Sequence, residues 1–207
     1  LGRKLAKKME TMVKALKEEV PEALQSEDYE NAVNAYISAS NDTKAKLYGE
    51  LEKLAKSMNF HIKSTRLGIE TIPIIDGRAV TEKEYGKLEE GTREVIEDAR
   101  AKLEPEVLDF ARKVRTIENE TKTYVEALRN EVGLQVVGRH IDNLTNDFAE
   151  VEEIVDYLKD VRTDILENLM DFVGSDEEQE AGHPNADLGR DKFKKFKINV
   201  FVDNTNS

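Results

Sequence analysis

The sequence predicts a mainly α protein: a long antiparallel helical bundle or coiled-coil arm with a small inserted β-hairpin and a C-terminal strand. Three observations lead to this fold class. Apolar residues recur every three or four positions over most of the 207 residues, 36% of the residues are charged, and 6% are aromatic, with no Trp. Such a composition is typical of helical bundles and coiled coils, which have narrow apolar seams and solvated outer faces.

The longest helical pattern covers residues 92–132 and forms the centre of the predicted fold. Its seam residues lie three or four positions apart, close to the heptad period: Ile96, Ala99, Leu103, Val107, Phe110, Val114, Ile117, Thr121, Tyr124, Leu128 and Val132. At about 1.5 Å per residue, this helix would be a rod of roughly 60 Å. A rod with so long an apolar stripe needs partner helices from the rest of the chain.

Three residues predict irregularities in the long coiled-coil helices, which we assign to residues 87–174. Pro105 removes one helix hydrogen bond, but the seam keeps its phase across it. We therefore expect a kink at Pro105, with two separate helices as the alternative. Gly133 and Gly138 predict a break, followed by a last helical seam over residues 141–172 that ends at a C-capping glycine.

Two shorter helical patterns precede the long one and form the first part of the predicted arm, residues 1–59. The first would stop near Pro21, because proline cannot continue the helical hydrogen-bond ladder. The second would follow the N-capping residue Ser26 and extend to about residue 58. The polar stretch 38–43 predicts a local irregularity in this second helix.

A β-hairpin insert with a short helix is predicted over residues 60–86, where the apolar period changes from helical to alternating. The strands would cover residues 60–65 and 69–75. Pro73 would place the second strand at an edge, because proline has no N–H to donate to a ladder. A hairpin this small is not stable alone, so we expect it to rest on the ends of the helices.

Turn and cap signals follow the second strand. The Asp76-Gly77 pair predicts a tight turn into a short third strand at residues 78–80. Thr81 and Glu84 have the spacing of a capping box, which predicts that a short helix begins there.

Residues 175–192 predict an acidic, flexible linker, because they contain almost no large apolar side chains. Residues 193–207 begin with an alternating pattern that predicts a strand. A single strand needs a sheet, so we expect it to return to a domain outside this chain. The first residue is Leu1 rather than Met, and both ends look cut, so we expect a fragment of a longer protein.

Two helix arrangements fit these patterns. Four antiparallel helices would return the chain to its starting end and leave the hairpin near the base of the arm. Alternatively, the first helix belongs to the base, and three helices form an arm with the hairpin at its far end.

The sequence contains no motif that predicts catalytic, cofactor-binding or metal-binding residues. The glycine-rich phosphate-binding loops of nucleotide-binding proteins do not occur in it. There is no Cys, which excludes disulfides and thiolate chemistry. We interpret His61, His140 and His183 as surface or hydrogen-bonded residues rather than as ligands or bases.

Composition also bounds the partners and the compartment. The net charge of −12 argues against a surface that binds nucleic-acid phosphates. No apolar run approaches the ~20 residues of a membrane span, and no signal peptide is present, so we expect no membrane partner. The absence of Cys fits a reducing compartment, and we expect a cytoplasmic protein.

The apolar side chains of the predicted hairpin are a candidate surface for contact with a polypeptide substrate: Phe60, Ile62, Ile69, Ile72, Ile74 and Ile75. Either they pack on the ends of the helices, or one face contacts unfolded polypeptide, for example by strand addition at the sheet edge. A second feature is the basic spot Gly138-Arg139-His140 on an acidic chain. It is interpreted as helix-cap chemistry, with a partner contact as the alternative.

Four runs, taken in order, resemble a family of Lon-related ATP-dependent proteases. Residues 1–29 resemble the segment after that family's phosphate-loop region. Residues 60–85, with Ile-Pro-Ile, Asp-Gly and Thr-Glu-Lys-Glu in sequence, resemble its hairpin. Val-Asp-Tyr-Leu-Lys-Asp-Val at 155–161, together with residues 164–169, resembles the end of its coiled coil. Lys-Ile-Asn-Val-Phe-Val-Asp-Asn at 197–204 resembles the strand by which its chain re-enters the ATPase core.

The resemblance implies an insertion arm within an AAA+-type module of a ring-forming, homo-oligomeric Ser-Lys endopeptidase. The parent protein would use ATP and Mg²⁺. Neither the nucleotide motifs nor the Ser-Lys dyad lies in these residues, so the chain itself would be non-catalytic. Its implied role is a substrate-engaging or regulatory coiled-coil domain that meets unfolded or damaged polypeptides. The alternative is a stand-alone coiled-coil scaffold or oligomerisation module.

Overall fold

The computed structural model describes residues 1–66, 68–173 and 193–196. These residues form a mainly α fold with a small inserted sheet, which confirms the predicted fold class. The elements are α1 (Gly2–Leu24), α2 (Glu27–Ser57), β1 (Phe60–Thr65), β2 (Gly68–Ile75), β3 (Arg78–Ala79), α3 (Glu82–Tyr85), α4 (Glu90–Asp147), α5 (Glu152–Glu167) and the 3₁₀ helices Leu169–Phe172 and Lys194–Phe196. The predicted linker 175–192 and the predicted strand from residue 197 onward lie outside the described residues.

The chain divides into two compact units. Unit 1 contains Leu1–Ala32 and the described residues from Val125 onward, and unit 2 is Val33–Tyr124. The helices α2 and α4 each contribute one part to each unit. Each unit has its own cluster of buried apolar residues, so each can be understood separately.

Unit 1 is a helical bundle with a deep core. One stripe of α1 and one stripe of α5 face this core, because their apolar residues repeat at the helical spacing of three and four. The buried residues are Leu5, Met9, Met12, Leu16, Val20, Val136, Val137, Ile141, Leu144, Phe148, Leu158, Val161, Ile165, Leu169, Phe172, Phe193 and Phe196. This core therefore draws on α1, α4, α5 and both 3₁₀ helices.

Unit 2 is an antiparallel pair of helix segments with the sheet at one end. At the other end, the ring of Tyr36 on α2 stacks on Tyr124 of α4 at 3.8 Å, and Thr121 donates a hydrogen bond to Ser40 over 2.8 Å. The fully buried residues cluster where the sheet joins the helices: Leu51, Ala55, Phe60, Ile62 and Leu103. Because the chain enters unit 2 at Val33 and leaves it at Tyr124, both connections lie at the end opposite the sheet.

This organisation differs from both arrangements that the sequence allowed. The helix α1 packs in unit 1, as the second arrangement proposed. The sheet, however, is carried by two helix segments rather than three, since α5 also packs in unit 1. The helical patterns gave the number of helices but not their distribution between two cores.

The helix α4 is continuous from Glu90 to Asp147, so the expected break at Gly133 and Gly138 is wrong, as is the alternative of two helices meeting at Pro105. Gly133 serves close packing instead, whereas an added Cβ at Gly138 would make only an ordinary van der Waals contact. A Cβ atom on Gly133 would lie 2.3 Å from Leu169 Cδ2, and one on Gly138 would lie 3.4 Å from Arg162 Nη2. The helical interruption lies later in the chain, between the end of α4 and the start of α5 at Glu152. The sequence did not reveal it, because the apolar seam of residues 141–172 continues across it.

The first two helices are also longer or more regular than expected. The helix α1 includes Pro21 and ends at Leu24, and the Pro21 carbonyl accepts from the Gln25 N–H over 2.9 Å. The polar stretch of α2 stays helical, and the Ser40 hydroxyl donates to the Tyr36 carbonyl over 2.9 Å. Thr43 makes the equivalent bond to Ala39 over 2.8 Å. Such bonds satisfy the hydroxyls within the helix.

The predicted C-terminal strand is wrong for its first residues, 193–196. They form a 3₁₀ turn in which both Phe193 and Phe196 are buried in unit 1. Side chains three residues apart share one side of a 3₁₀ helix, whereas in a strand they would face opposite sides. The Phe193 ring lies 4.7 Å from that of Phe172, and Lys195 pairs with Asp164 at 2.8 Å.

Candidate functional site

The sheet of unit 2 is the candidate site, and its strands run antiparallel in the order β1-β2-β3. Asn59 joins α2 to β1 with φ of +61°, and Asp76 and Gly77 join β2 to β3 with φ of +49° and +75°. A two-residue hairpin turn of this type requires positive φ at both positions, which confirms the predicted Asp-Gly turn. The predicted third strand is confirmed at Arg78–Ala79.

The helix α3 anchors the end of the sheet through the predicted capping box. The Thr81 hydroxyl accepts from the Glu84 N–H, and the Glu84 carboxylate accepts from the Thr81 N–H over 3.0 Å. Arg78 Nη1 also donates to Glu84, over 2.9 Å. The bonds from the Thr81 N–H and hydroxyl, and then the Arg78 charge, lower the pKa of Glu84.

The inner face of the sheet packs on the helices. The register pairs Phe60 with Pro73, and Ile62 with Thr71, so these side chains share one face. Phe60 and Ile62 are each 1% exposed, and Ile69 packs half-buried against the same cluster. Phe60 and Ile62 are therefore core residues of unit 2, and Ile69 packs against that core. A contact face for polypeptide, the second of the two interpretations, would have to be the other face of the sheet.

The outer face carries Ile72 and Ile74, because each is one residue removed from an inner-face position and strand side chains alternate. Both are half-buried, and neither belongs to the apolar cluster of unit 2. His61 lies opposite Ile72 on this face. Ile75 alternates back to the inner face and is also half-buried. The structure thus brings two of the six predicted residues together on a face turned away from the helix core.

The strand β2 is central in the sheet, so the expectation that Pro73 places it at an edge is wrong for the strand as a whole. The Ile74 N–H donates to the Asn59 carbonyl over 2.7 Å, so the backbone groups of Ile74 point toward β1. Because backbone groups alternate along a strand, the carbonyl of Pro73 points the other way, toward β3. There the Pro73 carbonyl accepts from the Val80 N–H over 2.8 Å. Proline lacks the N–H that would complete this pair, and β3 pairing ends at this point.

The first half of β2 nevertheless has an open edge. Backbone groups alternate in direction along a strand, so the N–H and C=O of Ile69 and Thr71 point away from β1, like the C=O of Pro73. The strand β3 pairs with Ile74 and Ile75. Within the described part of the chain, no strand pairs with residues 69–72 on that side.

The opposite edge of the sheet has a helix contact at Ile62. The backbone of Ile62 points away from β2, and its carbonyl accepts a hydrogen bond from the Tyr48 hydroxyl of α2 over 3.2 Å. Tyr48 in turn contacts the ring of Phe110 on α4 edge-on, with centroids 6.1 Å apart. A helix therefore contacts the β1 edge at Ile62, whereas no strand among the described residues pairs with residues 69–72 of β2 on its outer side.

A charged cluster connects α3 with α4 beside the sheet. The Tyr85 hydroxyl donates to Glu97, and Arg100 pairs with the same carboxylate at 2.6 Å. The Arg100 guanidinium lies 5.6 Å from the Tyr85 ring and 5.9 Å from the Phe60 ring, within the range of cation–π attraction. The hydrogen bond to Glu97 raises the pKa of Tyr85, because it stabilises the protonated phenol.

The basic spot at Gly138-Arg139-His140 lies inside α4, so the helix-cap interpretation is wrong. His140 Nε2 lies 3.0 Å from Glu19 Oε2 of α1, and Arg139 Nη2 lies 3.6 Å from the same oxygen. The spot therefore joins two helices within unit 1.

The described residues hold neither a cluster of metal ligands nor a membrane-spanning helix. No three Asp, Glu, His or Cys side chains in them form a group that could hold a metal ion. No helix in them is both long enough and apolar enough to cross a membrane.

Sequence reasoning missed the open edge of β2. The sequence does contain a signal for this edge, since Pro73 ends the pairing with β3. The alternation of backbone groups along the strand then determines which earlier residues point their N–H and C=O outward. No local sequence pattern predicts the hydrogen bond from Tyr48 to the Ile62 carbonyl, because it depends on how α2 packs beside β1.

Comparison with protein-family models, curated proteins and solved structures returns no match to this chain.

Proposed function

We propose that this chain is the substrate-engaging coiled-coil insertion domain of a Lon-like ATP-dependent serine protease, whose sheet binds unfolded or damaged polypeptide. The chain is non-catalytic in this proposal. ATP, Mg²⁺ and the Ser-Lys dyad belong to the parent protein, a cytoplasmic homo-oligomeric ring. The four sequence runs that resemble the Lon-related family support this parent.

The observation that carries the proposal is the position of Ile72 and Ile74. They lie on the outer face of a sheet that stands at the end of a helix pair, opposite both chain connections of unit 2. Apolar side chains in such a position offer a contact to exposed apolar segments, which unfolded polypeptides have and folded proteins mostly bury.

The expected affinity is modest. Full burial of an isoleucine side chain contributes about 1.5–3 kcal/mol, and both isoleucines are already half-buried. The two together therefore supply roughly 1–3 kcal/mol, enough to change binding by tenfold or more but not to hold a substrate permanently. Weak, repeatable contact suits a domain that must pass a polypeptide on.

The test is fluorescence anisotropy of a labelled, permanently unfolded protein titrated with this chain, beside the folded form of the same protein. The double variant Ile72→Ser/Ile74→Ser should lose at least tenfold in affinity, whereas the wild-type chain should bind the unfolded form selectively. Ile37→Ser is the matched control, because Ile37 is an isoleucine of α2 that is 39% exposed and outside the sheet. Circular dichroism checks that each variant is folded.

Two outcomes would contradict the proposal. One is equal binding of the folded and unfolded forms. The other is unchanged affinity in the double variant when that variant has the helical signal of the wild type.

A second candidate function is a scaffold or oligomerisation module. Three large apolar side chains on the helices of unit 2 favour it: Ile37, Val95 and Leu108 are 39%, 69% and 56% exposed. Sedimentation equilibrium tests this function, which predicts concentration-dependent self-association that Leu108→Ser weakens. A monomer over the accessible concentration range would exclude it.

A further inference from the structure

We infer that the open edge of β2 binds its polypeptide by strand addition, so that the ligand forms a further strand beside Ile69 and Thr71. This inference rests on the proposed function and specifies how the partner is held. The partner is an extended segment with an apolar residue opposite Ile72 and a basic residue opposite Glu70.

The backbone of β2 provides the hydrogen-bonding groups. The Ile74 N–H bonds to Asn59, and the Pro73 carbonyl bonds to Val80 on the other side, which fixes the direction of every group along the strand. Ile69 and Thr71 each point one N–H and one C=O outward. Groups two residues apart in a strand are separated by about 6.6–6.8 Å, a spacing that another extended backbone matches.

The edge stays open because β3 cannot extend along it. Pro73 lacks the N–H needed for the next pair, and the chain turns into α3 at the Thr81 capping box. At the other edge of the sheet, the Ile62 carbonyl already accepts a hydrogen bond from Tyr48. The two edges therefore differ at this point, and the outward groups of Ile69 and Thr71 belong to the strand that also carries Ile72 and Ile74.

The charge of the sheet and of the whole chain determines which extended polypeptide segments bind best at the β2 edge. An added strand would place side chains directly opposite Glu70 and Ile72 on the outer face. Glu70 is exposed and has Lys63 across from it on β1, and a basic residue on the added strand would give it a second partner of opposite charge. The net charge of −12 also attracts basic segments and repels acidic ones.

The first test uses synthetic peptides and the wild-type chain. The probe is a fluorescein-labelled heptapeptide, Thr-Val-Ile-Val-Lys-Val-Thr, which in antiparallel pairing places its Ile opposite Ile72 and its Lys opposite Glu70. One backbone nitrogen at a time is methylated. Strand addition predicts an alternating result: methylation at every second residue lowers the affinity at least tenfold, and methylation at the residues between leaves it within about twofold. Replacing the peptide's Lys by Glu should also weaken binding.

The second test changes the edge itself. Thr71→Pro removes an outward N–H and leaves the hydrogen bonds between β1 and β2 in place, because the backbone N–H and C=O of Thr71 point away from β1. This variant should bind the heptapeptide at least tenfold more weakly. Thr71→Val, which keeps the N–H and the β-branched shape, is the matched control and should bind like the wild type.

The outcomes separate this inference from the proposed function. If the unfolded protein binds and the Ile72→Ser/Ile74→Ser variant loses that binding, but neither peptide methylation nor Thr71→Pro matters, strand addition is overturned and the proposed function stands. If the wild-type chain binds neither probe, both fail. If circular dichroism shows that Thr71→Pro is unfolded, the methylation series on the wild-type chain decides.

Discussion

The two units use the same seam of α4 in different ways. In unit 1 the α4 residues Val137, Ile141 and Leu144 are buried, whereas in unit 2, away from the sheet, Val114 and Ile117 are half-buried. Unit 1 packs α4 against α1, α5 and both 3₁₀ helices, but unit 2 packs its part of α4 mainly against α2. A three-and-four spacing therefore predicts which face is covered, and the number of neighbouring helices decides how deeply.

The contacts along the helix pair of unit 2 reflect this difference. Away from the sheet, the pair is joined by the Tyr36–Tyr124 stack, the Thr121–Ser40 hydrogen bond and surface charges. Polar contacts between half-exposed helices specify the register of the pair but contribute little net stability. The sheet thus stands on a support that is weaker than the core of unit 1.

The largest expected effect compares leucines of the two units. Leu158→Ala in α5 removes a side chain that is 0% exposed, and we expect the free energy of unfolding to fall by about 2–5 kcal/mol. Leu47→Ala in α2 removes a half-buried side chain of the helix pair, and the expected loss is about 1 kcal/mol or less. Urea denaturation followed by circular dichroism measures both. Equal losses would show that the helix pair is as deeply packed as unit 1.

A smaller effect should have opposite signs at two helical glycines. Gly133→Ala places a methyl group against the buried Leu169 side chain, and overpacking of about 1–3 kcal/mol should exceed the gain in helix propensity of about 1 kcal/mol. At Gly49 in unit 2 no atom lies within 4 Å of an added Cβ, so Gly49→Ala should stabilise. The same denaturation experiment measures both changes, and stabilisation by Gly133→Ala would contradict the close packing of α4.

The smallest effect is the pH dependence of a surface ion pair in unit 1. The hydrogen bond from Lys8 lowers the pKa of Asp147 below its ordinary value of about 3.9. A carboxylate with a lowered pKa stabilises the folded state above its ordinary pKa, and this contribution is lost as the pH falls through the folded-state value. Asp147→Asn should therefore lower Tm slightly at pH 7, and parallel thermal scans should show this loss shrinking as the pH falls below the ordinary pKa of about 3.9. A loss that does not change with pH would exclude the ion pair as the cause.

The sequence predicted what local chemistry determines. The strand periods, the Asp76-Gly77 turn and the Thr81 capping box each depend on a few neighbouring residues, and the structure confirms them. It did not predict the continuity of α4 at Gly133, because that glycine is explained by Leu169, 36 positions later in the sequence. The 3₁₀ turn at Phe196 was missed for the same reason, since burial in unit 1 overrides the alternating pattern.

The candidate site shows the same division. The apolar residues of the hairpin were identified from the sequence as one set. Their separation into inner residues such as Phe60 and outer residues such as Ile72 required the register between β1 and β2. The open edge at Thr71 required, in addition, the direction of each backbone group, which a one-residue shift in register would reverse.

Hydrogen–deuterium exchange of this chain, with and without a permanently unfolded protein, tests the central claim most directly. Exchange reports the protection of individual backbone segments, so it separates the two units in one experiment. The account predicts slower exchange in peptic fragments that cover residues 68–75 when the unfolded protein is added, with no change in fragments that cover residues 136–148 of unit 1. Unchanged exchange at residues 68–75, or protection confined to unit 1, would contradict it.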